Sequence, residues 1–307
     1  MIGKVILVTS ASNELGRLAA NALSHSGHTV YAALANPRRG ARLRTAIAQY
    51  AGDNGLDMRA IGMDARRQPS IETAIRRIVD ETGRIDVVVH TAEALAFGPA
   101  EAFEPEQFAD IYDRIVLAAQ RVNRSVLPHM RRRGEGLLVW ISSSGSAGGM
   151  LPYLAPHLVA RAGLDALAVQ YARELARWGI ETTIIVPGAQ VYGSPPLAGA
   201  AAPGDQARAA EYESGPLAGM GPRIRRAMAG LLAAEIDVGP VAGAIVEAVD
   251  TPFGERPFRI HVDPAEDGGA VAFAVVDRLR NEMLTRAGLN DLIRPRRHAD
   301  CPAGEDV

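Results

Sequence analysis

The chain of 307 residues contains one cysteine, Cys301, and one lysine, Lys4. A lone thiol in a polar tail excludes a disulfide framework and a thiolate metal site, and no metal is expected. A lone lysine ahead of the first apolar run excludes Schiff-base chemistry at any site in the body of the chain. Neither sign of charge is in excess: 33 basic and 35 acidic residues leave a formal charge of −2. No field draws the chain to nucleic acid or to an anionic membrane, so neither is expected as a partner. No apolar run is long enough to span a bilayer. The opening Met1–Val8 goes directly into a strand, without the layout of a signal peptide, and a cytoplasmic protein is expected. Internal repeats and heptads are absent as well.

What is present is alternation. Short β-branched runs at Lys4–Thr9, Thr29–Leu34, Met58–Met63, Val87–Thr91, Leu137–Ser142 and Thr182–Val186 read as buried parallel strands. Segments of helical period separate them, at about Leu15–Ser26, Arg42–Ala51, Ser70–Thr82, Pro105–Leu127 and Leu158–Trp178. This predicts an α/β fold, a doubly wound parallel sheet of Rossmann type with right-handed crossovers. Gly193–Gly221 is rich in Pro, Gly and Ala. It reads as a loop with a short helix near Asp205–Tyr212, covering a site. A last strand is expected at Phe258–Val262, a helix at Val271–Arg286 and a disordered end from Pro295. The expected organisation is a single Rossmann domain over 1–262, with 193–235 as its covering loop and helices. A C-terminal extension follows at 263–307, with one helix and a tail.

The most informative stretch is Val139–Trp178. A strand ends in Ser142-Ser143-Ser144, a Gly-rich loop follows, and a long helix carries Leu164, Leu167, Ala168, Tyr171 and Leu175 on one stripe. Together with the Thr9…Gly16 turn, Asp64, Phe97-Gly98-Pro99, Leu127-Pro128-His129-Met130 and Pro187-Gly188, it resembles the short-chain dehydrogenase/reductase family over residues 1 to about 262. The resemblance implies an NAD(P) site, held by Thr9, Ser10, Ser12, Gly16, Asn36, Asp64, His90, Pro187 and Gly188 if any nucleotide binds. Against the family pattern, only Gly16 remains of the glycines after the first strand. Glu14 puts a carboxylate where the pyrophosphate would use a helix N-terminus; read locally, it stabilises its own helix. Asn36 stands where an acid would hold the ribose. Arg38 and Arg39 read as receivers of a 2′-phosphate or as solvated charges. Glu93 is a second carboxylate beside the cofactor path, and Tyr192 stands where a Thr would hold the nicotinamide end.

The same resemblance places the family's catalytic Tyr at His157, its Lys at Arg161, its Asn at Ile115 and its Ser at Ser143 or Ser144. Histidine titrates near neutrality and serves as acid or base without a lysine to tune it. Arg161, one helical turn on, holds charge but relays no proton. A plainer reading has His157 starting a helix and Arg161 paired with Asp165. Tyr153 and Tyr192 remain alternatives for a displaced tyrosine acid. Halohydrin dehalogenases, cofactor-independent members of the superfamily, resemble this chain in carrying Arg at the Lys position.

Three functional readings follow. The favoured one, by a small margin, is an enzyme without a cofactor that uses Ser143 or Ser144, His157 and Arg161 for acid–base work on a small, largely apolar molecule (isomerase, lyase, cyclase or hydrolase type). The second is an NAD(P)-linked alcohol/carbonyl oxidoreductase with His157 as proton donor. The third is a non-catalytic member or partner subunit. By analogy with the family's dimer faces, the helices over Ile111–Val126 and Leu158–Trp178 imply a homodimer or homotetramer.

Overall fold

The computed structural model describes residues 3–35, 40–147, 151–188, 197, 199–231, 238–264, 266 and 268–297. Seven strands form one sheet: β1 (Val5–Val8), β2 (Thr29–Leu34), β3 (Met58–Gly62), β4 (Val87–His90), β5 (Gly136–Ile141), β6 (Ile180–Pro187) and β7 (Arg259–Val262). Every pairing is parallel, in the order β3-β2-β1-β4-β5-β6-β7. The order reverses between β1 and β4, which opens a crevice at the carboxyl ends of those strands, where ligands of such sheets bind.

Side chains alternate across this sheet, and each face has its own core. Ile6 and Val8 point to one side with Val87, Val89, Val139 and Ile141, under α1 (Glu14–His25), α2 (Gly40–Asn54) and α9 (Gly239–Asp250). Leu7, Val88, Leu138 and Trp140 point to the other. There they pack against α3 (Gln68–Thr82), α5 (Ala118–Arg133) and α6 (Ala155–Glu174). Trp140 has no exposed surface and stacks on Tyr171, whose hydroxyl donates to Gln120 at 2.6 Å. Each fully buried side chain of this kind contributes about 1.5–3 kcal/mol.

Three features position the site. The first is the close approach of α1 to β1. A Cβ on Gly16 would lie 1.8 Å from the Ser10 carbonyl oxygen, so only glycine lets the helix start there. The second is a π-helical segment, Asp113–Leu117, joining α4 (Pro105–Tyr112) to α5. It buries Ile115 and Val116 and leaves Arg114 near the crevice. The third is a small separate cluster of Phe97, Tyr153, Leu154, Leu197, Ile224 and Met228. It ties α8 (Met220–Leu231) to the loop after β4. Sequence periodicity led to the helix now found as α7 (Gln206–Ser214) but not to α8. The expected covering segment also includes positions 193–196, 198 and 232–235, which lie outside the described residues.

The C-terminal helix α10 (Gly269–Arg286) packs Phe273 into the core. It is fastened by ions: Arg259 of β7 bonds Asp277 of α10 at 2.8 Å and Asp165 of α6 at 2.6 Å, and both Arg259 and Asp165 are buried. At the opposite, amino-terminal edge of the sheet lies a second cavity of about 500 Å³. Lys4 borders it and donates to the Val249 carbonyl. Beside it, His28 accepts the Lys4 N–H and donates to Asp250. Arg256 pairs there with the buried Glu181. Burial and the Arg256 charge lower the pKa of Lys4.

Candidate active site

The crevice at the switch point holds about 390 Å³ and is walled by the ends of β4 and β5, the start of α1 and the first turns of α6. Its floor is stitched across the switch. The Thr91 hydroxyl accepts the Ser10 N–H at 3.2 Å and donates to the Ser10 carbonyl at 3.0 Å, while Thr9 Oγ1 accepts the Thr91 N–H. Asn13 caps α1 by accepting the Gly16 N–H at 2.7 Å, and its amide donates to the Thr91 carbonyl at 2.7 Å. One side chain thus satisfies a free N–H of the helix start and fixes the loop after β4.

From α6, His157 and Arg161 enter the same wall one turn apart. His157 is 1% exposed. Its Nδ1 lies 2.8 Å from the Ala94 carbonyl, which can only accept, so Nδ1 carries the proton and Nε2 is the acceptor. The expectation that His157 titrates near neutrality does not hold. Burial, helped by the Arg161 charge, lowers it to about 3 against the pull of the Ala94 carbonyl. It is a neutral imidazole at physiological pH. Arg161 is also buried and donates to the Ile141 carbonyl at 2.8 Å. The alternative pairing of Arg161 with Asp165 is replaced: Asp165 accepts from Arg259 and from Ser142 Oγ at 3.0 Å.

The serines separate. Ser142 and Ser143 face the crevice, whereas Ser144 begins a buried 3₁₀ turn and is absent from the wall. Glu14 and Glu93 both line the crevice, near Arg161. Burial in the wall raises the pKa of Glu93, although its outer side meets solvent; Arg161 opposes the shift and Glu14 adds to it.

Other sequence-derived candidates lie elsewhere. His90 is not in the crevice: its Nε2 donates to Asn123 at 2.9 Å, its ring lies against Trp140, and burial lowers it to about 4. Ser12 is exposed on the β1–α1 turn. Asp64 follows β3 on the same sheet edge, accepting the Arg66 N–H. Pro187 closes β6, and the Gly188 N–H is taken by Val262. Tyr153 points into the cluster under α8, where burial and Glu213 raise its hydroxyl, so it does not replace the missing acid. Asn36, Arg38, Arg39 and Tyr192 lie outside the described residues. Sequence reasoning missed Asn13 and Thr91. Asn one residue before a helix is a capping signal that was available; the partner of Thr91 is 81 positions away and gives no local sign. Among the described residues no group of three or more metal-ligating side chains occurs, and no helix is long and apolar enough to cross a membrane.

Residues 4–191 match the model of the short chain dehydrogenases. The chain is 30% identical over 190 residues to the 3-oxoacyl-[acyl-carrier-protein] reductase FabG of Vibrio cholerae serotype O1, covering 61% of this chain and 73% of that one. A short-chain dehydrogenase from Streptomyces avermitilis superposes with a TM-score of 0.71 at 24% identity, over 94% of this chain and 98% of the other. An alcohol dehydrogenase from the archaeon Thermococcus sibiricus, complexed with 5-hydroxy-NADP, gives 0.63 at 20% identity, over 84% and 95%. The sequence reading ranked cofactor-free acid–base chemistry above NAD(P)-linked oxidoreduction. With a reductase as relative, that order is reversed.

Proposed function

The chain belongs to the short-chain dehydrogenase family, and on that premise we propose that it is an NAD(P)-linked oxidoreductase interconverting an alcohol and a carbonyl on a small molecule. The observation that carries this reading is the convergence of Ser143, His157 and Arg161 on one crevice at the switch point of the sheet. The close β1–α1 approach at Gly16 fits a dinucleotide laid across that switch. Thr91 and the start of α1 would border its phosphates and ribose, and Arg161 and Ser143 its nicotinamide end. When bound, the group supplies or accepts a hydride. The chain's own part is to hold the reacting oxygen. Arg161, fixed by the Ile141 carbonyl, and the Ser143 hydroxyl stabilise negative charge developing there. His157, locked in one tautomer by Ala94, accepts the hydrogen bond of the substrate hydroxyl through Nε2. With its pKa lowered to about 3, this imidazole is too weak a base to keep the hydroxyl proton, so its part is to orient the reacting oxygen, and the proton leaves to solvent.

A second reading, acid–base chemistry without a cofactor, is favoured by one specific observation. Asn13 already takes the Gly16 N–H, and Glu14 adds a carboxylate where a pyrophosphate would lie.

Calorimetric titration with NADH and NADPH separates the two, followed by nicotinamide absorbance with 3-oxoacyl thioesters and simple secondary alcohols as first substrates. Micromolar binding, tightened a few-fold by Glu14→Gln, is the expected result. No binding at millimolar nucleotide, in the wild type and in Glu14→Gln, removes hydride transfer and leaves the second reading.

A further inference from the structure

The side chains that hold the reacting oxygen leave its proton without a carrier. His157, lowered to about 3, does not keep it, and Arg161 stays protonated. Three acids line the crevice. Asp110 is tied to Arg66 at 2.9 Å and to Arg114 at 2.7 Å. Glu14 belongs to the first turn of α1, where its negative charge serves the helix. Glu93 is placed differently. The backbone on either side of it is fixed: the Thr91 carbonyl accepts from Asn13 at 2.7 Å, and the Ala94 carbonyl holds His157 at 2.8 Å. The loop after β4 therefore sets Glu93 in the same wall as Ser143, His157 and Arg161. Among the described residues no ion pair or hydrogen bond engages its carboxylate. Its outer side is exposed, so one carboxyl group borders both the crevice and the solvent.

We propose that Glu93 is the acid–base residue of this site, carrying the proton between the substrate oxygen and solvent; this rests on the NAD(P)-linked reading above. In the oxidative direction the substrate O–H bond breaks, and its proton forms the O–H of the Glu93 carboxyl. The electron pair left on oxygen becomes the second bond of the carbonyl. The hydrogen on the carbinol carbon leaves with its own pair to the oxidised nicotinamide. The carboxyl then gives its proton to solvent on its outer side, and reduction runs the same steps backwards. Arg161 and Ser143 meet the charge on oxygen, and His157 orients it. The surroundings of Glu93 suit the task. Burial in the wall raises its pKa, Arg161 opposes the shift and Glu14 adds to it, so it gives up its proton closer to neutrality than an exposed glutamate does. The remaining charged or titratable groups of the crevice are the neutral His157 and the Asp110–Arg114 pair.

Infrared titration of the full chain tests this without substrate. The wild type should keep a protonated-carboxyl band above about pH 5.5, where ordinary glutamates have lost theirs, and Glu93→Gln should lack it. Turnover of a secondary alcohol, followed by nicotinamide absorbance, tests the role. Oxidation by the wild type should rise with pH as Glu93 loses its proton. In Glu93→Gln that rise should vanish and kcat fall on the order of a hundredfold, with NADPH bound within a few-fold of the wild type. Glu93→Ala should regain turnover when formate is added to stand in for the carboxyl. A band that titrates in the ordinary range, an unchanged kcat in Glu93→Gln, or a Glu93→Ala enzyme that formate leaves inactive would each overturn the assignment while nucleotide still binds. A wild type that binds no nucleotide removes the NAD(P)-linked reading, and the assignment with it.

Discussion

His157 and His90 are both neutral because both are buried, and that links the acid stability of the protein to two residues. In the unfolded chain each titrates near 6.5; folded, His157 is lowered to about 3 and His90 to about 4. Between those values and 6.5 the unfolded chain binds protons that the folded chain refuses, so stability is full above pH 6.5 and falls as the pH drops. At pH 5 each histidine accounts for a loss of about 2 kcal/mol, from ~1.4 kcal/mol per pH unit. Urea denaturation at pH 7.5 and pH 5 should show the drop, and His157→Gln should shrink it by about 2 kcal/mol. An unchanged drop in that variant would mean that His157 titrates alike in both states. That Ser143, His157, Arg161, Glu14 and Glu93 would meet at one crevice was implied by the family resemblance, which left Ser143 and Ser144 as alternatives. The neutrality of His157 was not. It depends on the depth of burial and on the Arg161 charge, and it stands against the Ala94 carbonyl, 63 positions earlier, which fixes the tautomer. The partner of His90 at the end of β4 is likewise distant in sequence, since Asn123 lies 33 positions on, in α5.

The β1–α1 turn shows how one element fixes the crevice. Gly16→Ala would drive a methyl group into the Ser10 carbonyl and should cost about 3 kcal/mol. Gly52, in α2, has no atom within 4 Å of its would-be Cβ, and Gly52→Ala should instead stabilise by about 0.5 kcal/mol. Thermal or urea denaturation of the two variants gives shifts of opposite sign. Equal effects would show that close packing at Gly16 does not decide its identity. Among the elements, β2 was legible to the residue, because β-branched and apolar residues run between clear turn signals. The helix α8 was missed because its stripe, Met220, Ile224 and Met228, is brief and embedded in Gly and Pro. The π segment gives no periodic signal, and the extra residue in its turn is set by packing around Ile115 and Val116.

At the scale of the whole molecule, the sheet order and both cores follow from the strand–helix alternation, whereas the attachment of α10 does not. Its ion cluster draws Asp165, Arg259 and Asp277 from three distant segments. Deleting residues 263–307 removes Asp277 from a buried arginine and Phe273 from the core, and should cost about 3–5 kcal/mol. Urea denaturation of the shortened chain measures this, and an unchanged midpoint would mark the extension as an independent appendage. The lone lysine has a practical consequence. Lys4 stands at the amino-terminal edge of the sheet, opposite the crevice, and its lowered pKa leaves more of its amine uncharged and nucleophilic. An activated-ester support has no other side-chain amine to couple to. Molecules immobilised through that residue share one orientation, with the crevice facing the solution.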